Sequence, residues 1–475
     1  MSASARGMGL HVVESHSFIN IVAQFTLGLQ GLRGITMKHG AAPAAGKPVD
    51  ARPRSCVSEA TGLIGLAGMI ASIAACWTLG IGVVGATALI LLGTHGPMIL
   101  WLVLAERVWA RSSTGLDWGA PRPWAQVWRT SATKLAGLGV TLAALGAGYA
   151  LIPYYSGETF RFFHLALIAL GALMPLWALY VVVVDRVMVE PRDELWHFGQ
   201  FVLGRGGSDA QMLRKHLLGW AIKGFFTAFM FSILPPVVAR VSSADLAALL
   251  AEPVRLGLFL VTLCFLADAM FAAMGYLLPL RVLDAHLRSP NPHLMAWVAA
   301  LACYPPFAVM AAGGPLDHRA LSGSWTQVFG ESGVPAIAWC GLLLSLAVLY
   351  AWATVIFGVR FSNLTHRGII TNGPYRYFKH PAYLAKTLYW WLAQLPFLTA
   401  ATPGQAAQAS FLLACVTALY WLRARTEEWH LMEDPAYAAY AAWIARNGLI
   451  PRMIAPLRRW RDGAGVLTPP SRPTE

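Results

Sequence analysis

The sequence predicts an all-α fold, a polytopic integral membrane helical bundle of about ten transmembrane helices. Three observations lead there. The 475 residues are 57% hydrophobic and 12% charged, with mean hydropathy +0.54, against roughly 25% charged for an ordinary soluble domain. Residues 60–105 contain no Asp, Glu, Lys or Arg; as helix they extend about 69 Å, two crossings rather than one. Lys and Arg recur in alternate gaps between apolar runs, as cytoplasmic loops of a multi-pass protein do.

Backbone groups have no partner in lipid, so each apolar run is expected to be helical. The pair within 60–105 turns at Gly80-Ile81-Gly82. Further spans are expected at 135–153, 162–184, 217–239, 256–280, 294–312, 335–358, 383–401 and 405–422. With the N-terminus inside, inner segments hold 30 of the 36 Lys and Arg. Outer segments hold Arg161, Arg240, Arg255 and Arg319, and Lys223 and Lys386 lie within spans. Both termini, residues 359–382 and residues 423–475 are thus expected on the cytoplasmic side. The net charge of +13 is dispersed among loops, which fits contact with anionic lipid and gives no basis for nucleic acid as a partner.

Cys56, Cys76, Cys264, Cys303, Cys340 and Cys415 contain no CxxC, and five lie in apolar runs. They read as small buried hydrophobes, and no metal is expected. Residues 17–30 are too short to span and read as an interfacial helix, residues 38–55 as an Ala- and Pro-rich linker. The inner loop 185–216 carries EPRDELWHFG and GRGGSD, without the spacing of a nucleotide-binding loop. Pro235-Pro236 and Pro305-Pro306 are expected to kink their helices. Lys223 and Asp268 are charges inside neighbouring spans and are expected to pair.

The chemistry concentrates in two stretches. Residues 373–383 read GPYRYFKHPAY. Asn372, Gly373 and Pro374 are turn residues, and Pro381 suits the first turn of a helix whose free N–H groups can meet an anion. Tyr375, Tyr377, Phe378 and Tyr383 offer aromatic faces. An interfacial belt of Tyr, Lys and Arg accounts for this composition in any polytopic protein. It does not account for the second stretch, RARTEEWHLM from Arg423. Arg423, Glu427 and His430 or Leu431 fall on one helical face, with Glu428 beside them.

At these residues the chain resembles the isoprenylcysteine carboxyl methyltransferase family, with its bacterial relatives and the nearby phospholipid methyltransferases. The family pattern, roughly G-x-Y-R-Y-x-R-H-P-x-Y, a helical hairpin, R-x-x-x-E-E-x-x-L, then Y-x-x-Y, is matched by Gly373, Tyr375, Arg376, Tyr377, His380, Pro381 and Tyr383; by Arg423, Glu427, Glu428 and Leu431; and by Tyr437, Tyr440, Arg446 and Pro451. The resemblance covers residues 350–455. It implies S-adenosylmethionine as cofactor, lined by Arg367, Gly368, Ile369, Ile370, Tyr375, His380, Pro381, Ala382, Tyr383, Glu427 and Glu428, with Arg423 as the catalytic residue facing the acceptor. Two departures stand out: Lys379 replaces the usual Arg, losing a bidentate fork, and Ala385-Lys386 replace a glycine-containing step.

The expected function is an integral membrane methyltransferase acting on a lipophilic or lipidated acceptor, carboxyl O-methylation first among the possibilities. Such a displacement needs proximity, a dry cavity and placed charge, and no metal. The expected organisation is an interfacial segment at 1–59, a bundle of unassigned role at 60–345, the methyltransferase-like domain at 346–460 and a tail at 461–475. Two alternatives stay open: an NADPH-dependent reductase of the sterol-reductase type, which shares R-H-P-x-Y, and a lipid or ion transporter with a vestigial enzyme end. The Glu pair favours methyl transfer over the first, and intact Tyr375, His380, Arg423 and Glu427 argue against the second.

Overall fold

Among the described residues, seven helices are long and apolar enough to cross a bilayer: α1 (Glu59–Leu79), α2 (Val83–Leu100, continued as a π-helical turn over Trp101–Ala105), α3 (Trp124–Leu151), α7 (Ala210–Ser242), α8 (Pro253–Leu277), α10 (Gly333–Val355) and α12 (Pro403–Leu431). The pair α4 (Arg161–Ala172) and α5 (Met174–Val187) is long and apolar enough only when taken together, and is bent by 58° where Pro175 opens the second half. Shorter helices are α6 (Glu194–Val202), α9 (Leu294–Leu301), α11 (Pro381–Gln394) and α13 (Pro435–Asn447). The structure, a computed structural model, describes residues 51–455; the interfacial helix expected at 17–30 and the tail at 461–475 lie outside them. Only 22–50% of each span's most apolar window is buried against protein, so apolar side chains such as Leu63, Leu92 and Ile168 face outward, as lipid requires.

Local signals terminate the helices as their chemistry dictates. Ser58 caps α1, Asp209 caps α7 through the N–H groups of Gln211 and Met212, and Thr402 caps α12. Gly80 ends α1 in the left-handed region, φ 61°, and Gly82 starts α2, which is the turn expected from the sequence. Helix α7 runs through Pro235 and Pro236 as one element.

Two expected spans are shorter than a bilayer. Helix α11 holds 14 residues, about 21 Å at 1.5 Å per residue. It ends where Leu395 turns left-handed, φ 44°, before Pro396. Its last carbonyls are taken up by neighbours: Trp339 Nε1 donates to Leu392 O at 3.0 Å and Trp325 N to Ala393 O at 2.9 Å. At 294–312 the helix stops at Leu301, ahead of Pro305 and Pro306, which lack the N–H a helix needs.

The chain nevertheless crosses there. Helices α8 and α10 run parallel: Cys340 meets Val254, Tyr350 and Thr354 meet Asp268, and Arg367 donates to both Gly275 O and Phe361 O just beyond. Residues 278–332 must therefore return across the same thickness. They begin with strand β1 (Ser289–Pro290), paired antiparallel with β2 (Thr365–His366) where α8 and α10 end. They finish at Trp325, packed with Val254, Ala336 and Leu395 where those helices start. Between them, turns satisfy the backbone locally, Val309 N to Ala302 O at 2.9 Å and Leu316 N to Val309 O at 2.8 Å, and the segment packs on α12 at Leu413, Val416 and Tyr420. Irregular backbone is tolerated at that depth when protein or a cavity encloses it.

The main core joins α1, α2, α7 and α8 through Met69, Ile90, Met98, Phe226, Leu234, Met270 and Phe271. By contacts the chain divides into Arg52–Ala441 and a second unit whose described part includes residues 442–455. That part is the end of α13, a bend at Gly448 and a helical run over 449–455.

Two consequences can be measured. In a cysteine-free background, Arg288→Cys and Ser324→Cys are expected to react with an impermeant maleimide from opposite membrane faces, because residues 278–332 cross; labelling from one face contradicts this. At Gly275 a Cβ would lie 1.9 Å from Phe361 O. Gly275→Ala is expected to lower thermal stability in detergent by about 1–3 kcal/mol, as overpacking does.

Candidate functional site

Helices α11 and α12 pack antiparallel, Trp391 on Thr417 and Tyr383 on Tyr420. They enclose, with residues 360–375, a cavity of about 160 Å3. Of the residues singled out from the sequence, Arg367, Gly368, Ile369, Ile370, Tyr375, His380, Ala382, Tyr383, Arg423 and Glu427 line it, while Pro381 and Glu428 do not. His430 and Leu431 line it too, as one helical face with Arg423 and Glu427 requires. The turn forms as its residues dictate: Gly373 has φ 55°, Gly373–Arg376 is a 3-10 turn, and Pro381 sits in the first turn of α11.

Arg423 is 6% exposed and rests among three rings, its guanidinium carbon 5.3 Å from the Tyr304 centroid, 5.4 Å from Tyr383 and 5.2 Å from Tyr420. Nη2 donates to Asn363 Oδ1 at 3.1 Å and Tyr304 OH at 3.4 Å. Among the described residues no carboxylate oxygen lies within 4.0 Å of it. Ring quadrupoles thus replace an anion, which attracts the cation but does not neutralise it.

The adjacent glutamates divide their work. Glu427 is half-buried, faces the cavity and accepts from Tyr383 OH at 3.1 Å. Glu428 is buried and turned to the other side, with Lys379 Nζ at 2.9 Å, His380 Nε2 at 2.7 Å and Arg425 Nη1 at 3.4 Å. The sequence suggested no packing role for this pair; the structure gives Glu428 one, clamping residues 379–380 to α12. Its carboxylate is thus in contact with Lys379, His380 and Arg425 and does not line the cavity. Lys379, in place of arginine, makes a point contact with this carboxylate. His380 lies between clamp and cavity, its ring stacked on Tyr383 at 5.8 Å.

The facing wall is built from the segment between α10 and α11. Arg360 pairs with Asp284 at 2.6 Å, both nearly inaccessible, and donates to Arg367 O at 2.8 Å. Gly368 takes φ 102°, and a Cβ there would meet Arg360 Nη1 and Cys56 Sγ, each at 2.9 Å, so only glycine passes. Arg367 is 5% exposed, gives Nη1 to Gly275 O at 2.5 Å and leaves Nε without a partner. Burial lowers its guanidinium to about 9. Residues 53–59 staple this wall from outside. Cys56 N donates to Ile369 O at 3.0 Å, Thr371 Oγ1 to Pro53 O at 2.7 Å, Ser55 Oγ to Asn372 Oδ1 at 3.0 Å, and Arg376 reaches Glu59 at 2.6 Å. The described end of the expected 38–55 linker is therefore bound chain.

Lys223 and Asp268 do not pair, contrary to the expectation. Asp268 accepts from Tyr350 OH at 2.7 Å and Thr354 Oγ1 at 2.5 Å and opens into the cavity. Lys223 lies over the Trp220 ring at 4.0 Å and lines a different cavity of about 500 Å3 among α3, α5 and α7. Adjacent spans bring charges to one depth; rotation of each helix decides which way they face. Asn363, Tyr304, Tyr350, Lys386, Tyr437 and Tyr440 also line the site. Lys386 was detectable as a departure from the family pattern and the two late tyrosines as part of it. Asn363 and Tyr304, on irregular backbone, gave no periodic signal.

The clamp has a measurable consequence. Glu428→Gln is expected to destabilise the solubilised protein by about 1–3 kcal/mol, the usual cost of leaving buried donors short of a partner, whereas Glu427→Gln leaves the melting temperature nearly unchanged; equal shifts in thermal scans contradict this division.

With this geometry in place, comparison with known proteins becomes informative. No curated protein and no solved structure matches the chain. Residues 337–433 match a family model, and this range holds most of α10, the wall segment, α11 and the clamp on α12. Over that segment the chain is similar to the Isoprenylcysteine carboxyl methyltransferase (ICMT) family.

Proposed function

We propose that this integral membrane protein is an S-adenosylmethionine-dependent methyltransferase whose acceptor is a lipophilic or lipidated molecule reaching the cavity from the bilayer. One observation carries the reading: Arg423 and Glu427, one turn apart on α12, open into the same cavity as Arg367, Gly368, Ile369, Ile370, Tyr375 and Tyr383.

The residues fit such a cofactor. Its ribose and amino groups need acceptors, its carboxylate needs donors, and the cavity has both unused. Glu427 Oε2 takes only the Tyr383 hydroxyl, while Arg367 Nε and the Tyr437 hydroxyl are buried without partners. When bound, S-adenosylmethionine supplies an electrophilic methyl group on a sulfonium. The chain's own contribution is placement. Glu427 and Arg367 hold polar groups of opposite sign. The aromatic walls of Tyr375, Tyr383 and Tyr437 exclude water, so fixed charges act at lower effective dielectric. Arg423, without a carboxylate of its own, holds an anionic acceptor near the transfer point. A carboxylate acceptor needs no general base, and carboxyl O-methylation is the transfer this arrangement supports best. Glu427 on the cavity face of α12, as part of the family-matched segment, favours methyl transfer over nicotinamide reduction. The site opens to the cytosol on the Lys and Arg asymmetry of the loops.

Calorimetry on the intact protein is expected to detect S-adenosylmethionine and S-adenosylhomocysteine. Glu427→Gln is expected to weaken both by about five- to 150-fold, the equivalent of 1–3 kcal/mol for unpaired donors in a partly dry site. Arg423→Ala is expected to depress turnover while sparing cofactor affinity. Absence of binding at millimolar ligand, or full affinity in Glu427→Gln, overturns the assignment. A reporter fused after Glu475 is expected in the cytosol.

A further inference from the structure

The larger of the two cavities described above, about 500 Å3, takes none of its lining from residues 337–433. Its volume is that of a single-ligand pocket. At ~30 Å3 per heavy atom, the share a water takes in the liquid, it holds about one acyl chain rather than two. Helix α4 packs on α7, Phe162 stacked on Phe231 at 5.7 Å, while beyond the 58° bend α5 packs on Leu116 instead. The space lies between α5 and α7, with α3 closing its side. Gly146 on α3 and Gly171 and Met174 at the bend line the cavity and are exposed, and a Cβ on either glycine would meet nothing within 4 Å. The mouth thus opens sideways, through helix faces that meet lipid.

Apolar and polar linings are separated along the cavity. Leu142, Leu145, Phe163, Leu167 and Leu170 lie toward the end of α3 and the start of α4; Lys134, Asp193, Glu194, His216, Arg281 and His286 lie toward the opposite end, where α5 and α8 finish. Lys223 joins the polar part, its side chain running back along α7 to sit 4.0 Å over the Trp220 ring, as helical side chains lean. Some of this charge is settled internally. Lys134 Nζ reaches Asp185 at 3.0 Å and Asp193 at 3.1 Å, and Arg122 reaches Asp185 at 3.8 Å, so these four balance. His216 gives Nε2–H to Thr141 Oγ1 at 2.9 Å, because that hydroxyl donates its own proton to Gly137 O. A second proton on its buried Nδ1 would find no acceptor, and the same holds for His286 Nδ1, so both rings count as neutral. Lys223, Arg281 and Glu194 remain. Arg281 gives Nη1 to Thr114 O at 3.1 Å, and among the described residues none of the three lies within 4.0 Å of an opposite charge. One positive charge is left in excess, which is costly in this setting.

We propose that this cavity is a lipid-binding site that takes one phospholipid by a monoanionic phosphodiester head, held at Lys223 and Arg281, with an acyl chain along α3 and α4. A phosphodiester carries one negative charge and several acceptor oxygens, so it answers both the excess charge and the unused donors of Lys223 and Arg281. Glu194 offers an acceptor for a hydroxyl beside the phosphate, and an ammonium in the head would restore the excess. The site is independent of the methyltransferase reading and gives the region before residue 337 a ligand of its own.

The test is native mass spectrometry of the full-length protein, stripped of lipid in detergent and titrated with three palmitoyl lipids: lysophosphatidylglycerol, lysophosphatidylcholine and monoacylglycerol. One lysophosphatidylglycerol per chain is expected, bound at least roughly tenfold tighter than either of the others, the effect of one charge-assisted contact. Lys223→Met is expected to weaken it by about ten- to 100-fold on the same grounds, while Lys223→Arg keeps most of the affinity. Gly146→Phe and Gly171→Phe place a ring in the mouth from positions where a Cβ meets open space, so each is expected to abolish retention at an unchanged melting temperature. Equal retention of the three lipids, preference for the choline lipid, unchanged affinity in Lys223→Met, or full retention in either folded glycine variant overturns the proposal. Several weak adducts insensitive to every variant identify annular lipid and overturn it as well.

Discussion

Everything in this structure answers to one constraint: a polar cavity must exist beside hydrocarbon, where each unpaired backbone or charged group costs several kcal/mol. The constraint explains why the wall of the cavity is so heavily cross-bonded. Arg360 is tied to Asp284, Arg367 to the carbonyls of Gly275 and Phe361, and Asn363 to the Tyr276 hydroxyl at 2.8 Å through its N–H. Irregular backbone carries these groups because a helix would have spent its own N–H and C=O groups internally and left none to face the cavity.

The same constraint sorts the ionic groups into two classes. Glu428, Arg360 and Asp284 each meet an oppositely charged side chain and build the walls. Among the described residues, Arg423, Arg367 and Lys386 have no carboxylate in contact and are stabilised instead by rings or carbonyls. A buried cation held only by dipoles and quadrupoles is still available to a ligand. Adjacent glutamates fall into different classes because successive helical residues point 100° apart, so Glu427 meets the cavity and Glu428 meets residues 379–380.

Long-range ties hold the site together. Residues 53–59 secure the wall from more than 300 positions away in sequence, and α8 contributes both Asp268 and the close approach at Gly275. Residues 278–332 supply Asn291, which donates to Thr426 O at 3.1 Å on α12, and Tyr304 beneath Arg423. The family-matched segment is therefore embedded in the compact unit Arg52–Ala441.

Composition and the placement of Lys and Arg were enough to establish a helical membrane bundle, because lipid permits few other ways to satisfy a backbone, and motif spacing was enough to gather Arg423, Glu427, Tyr375 and His380, because helical periodicity maps sequence directly onto a face. Window hydropathy overstated the helices at 294–312 and 383–401, since it weighs apolar content and not the missing N–H groups of Pro305, Pro306 and Pro396. Only the tertiary structure decided that residues 278–332 cross as irregular chain, that Glu428 is a clamp, and that Asp268 meets Tyr350 and Thr354 rather than Lys223. These depend on the rotation and parallel packing of α8 against α10, and contacts between residues some 80 positions apart leave no periodic trace in the chain.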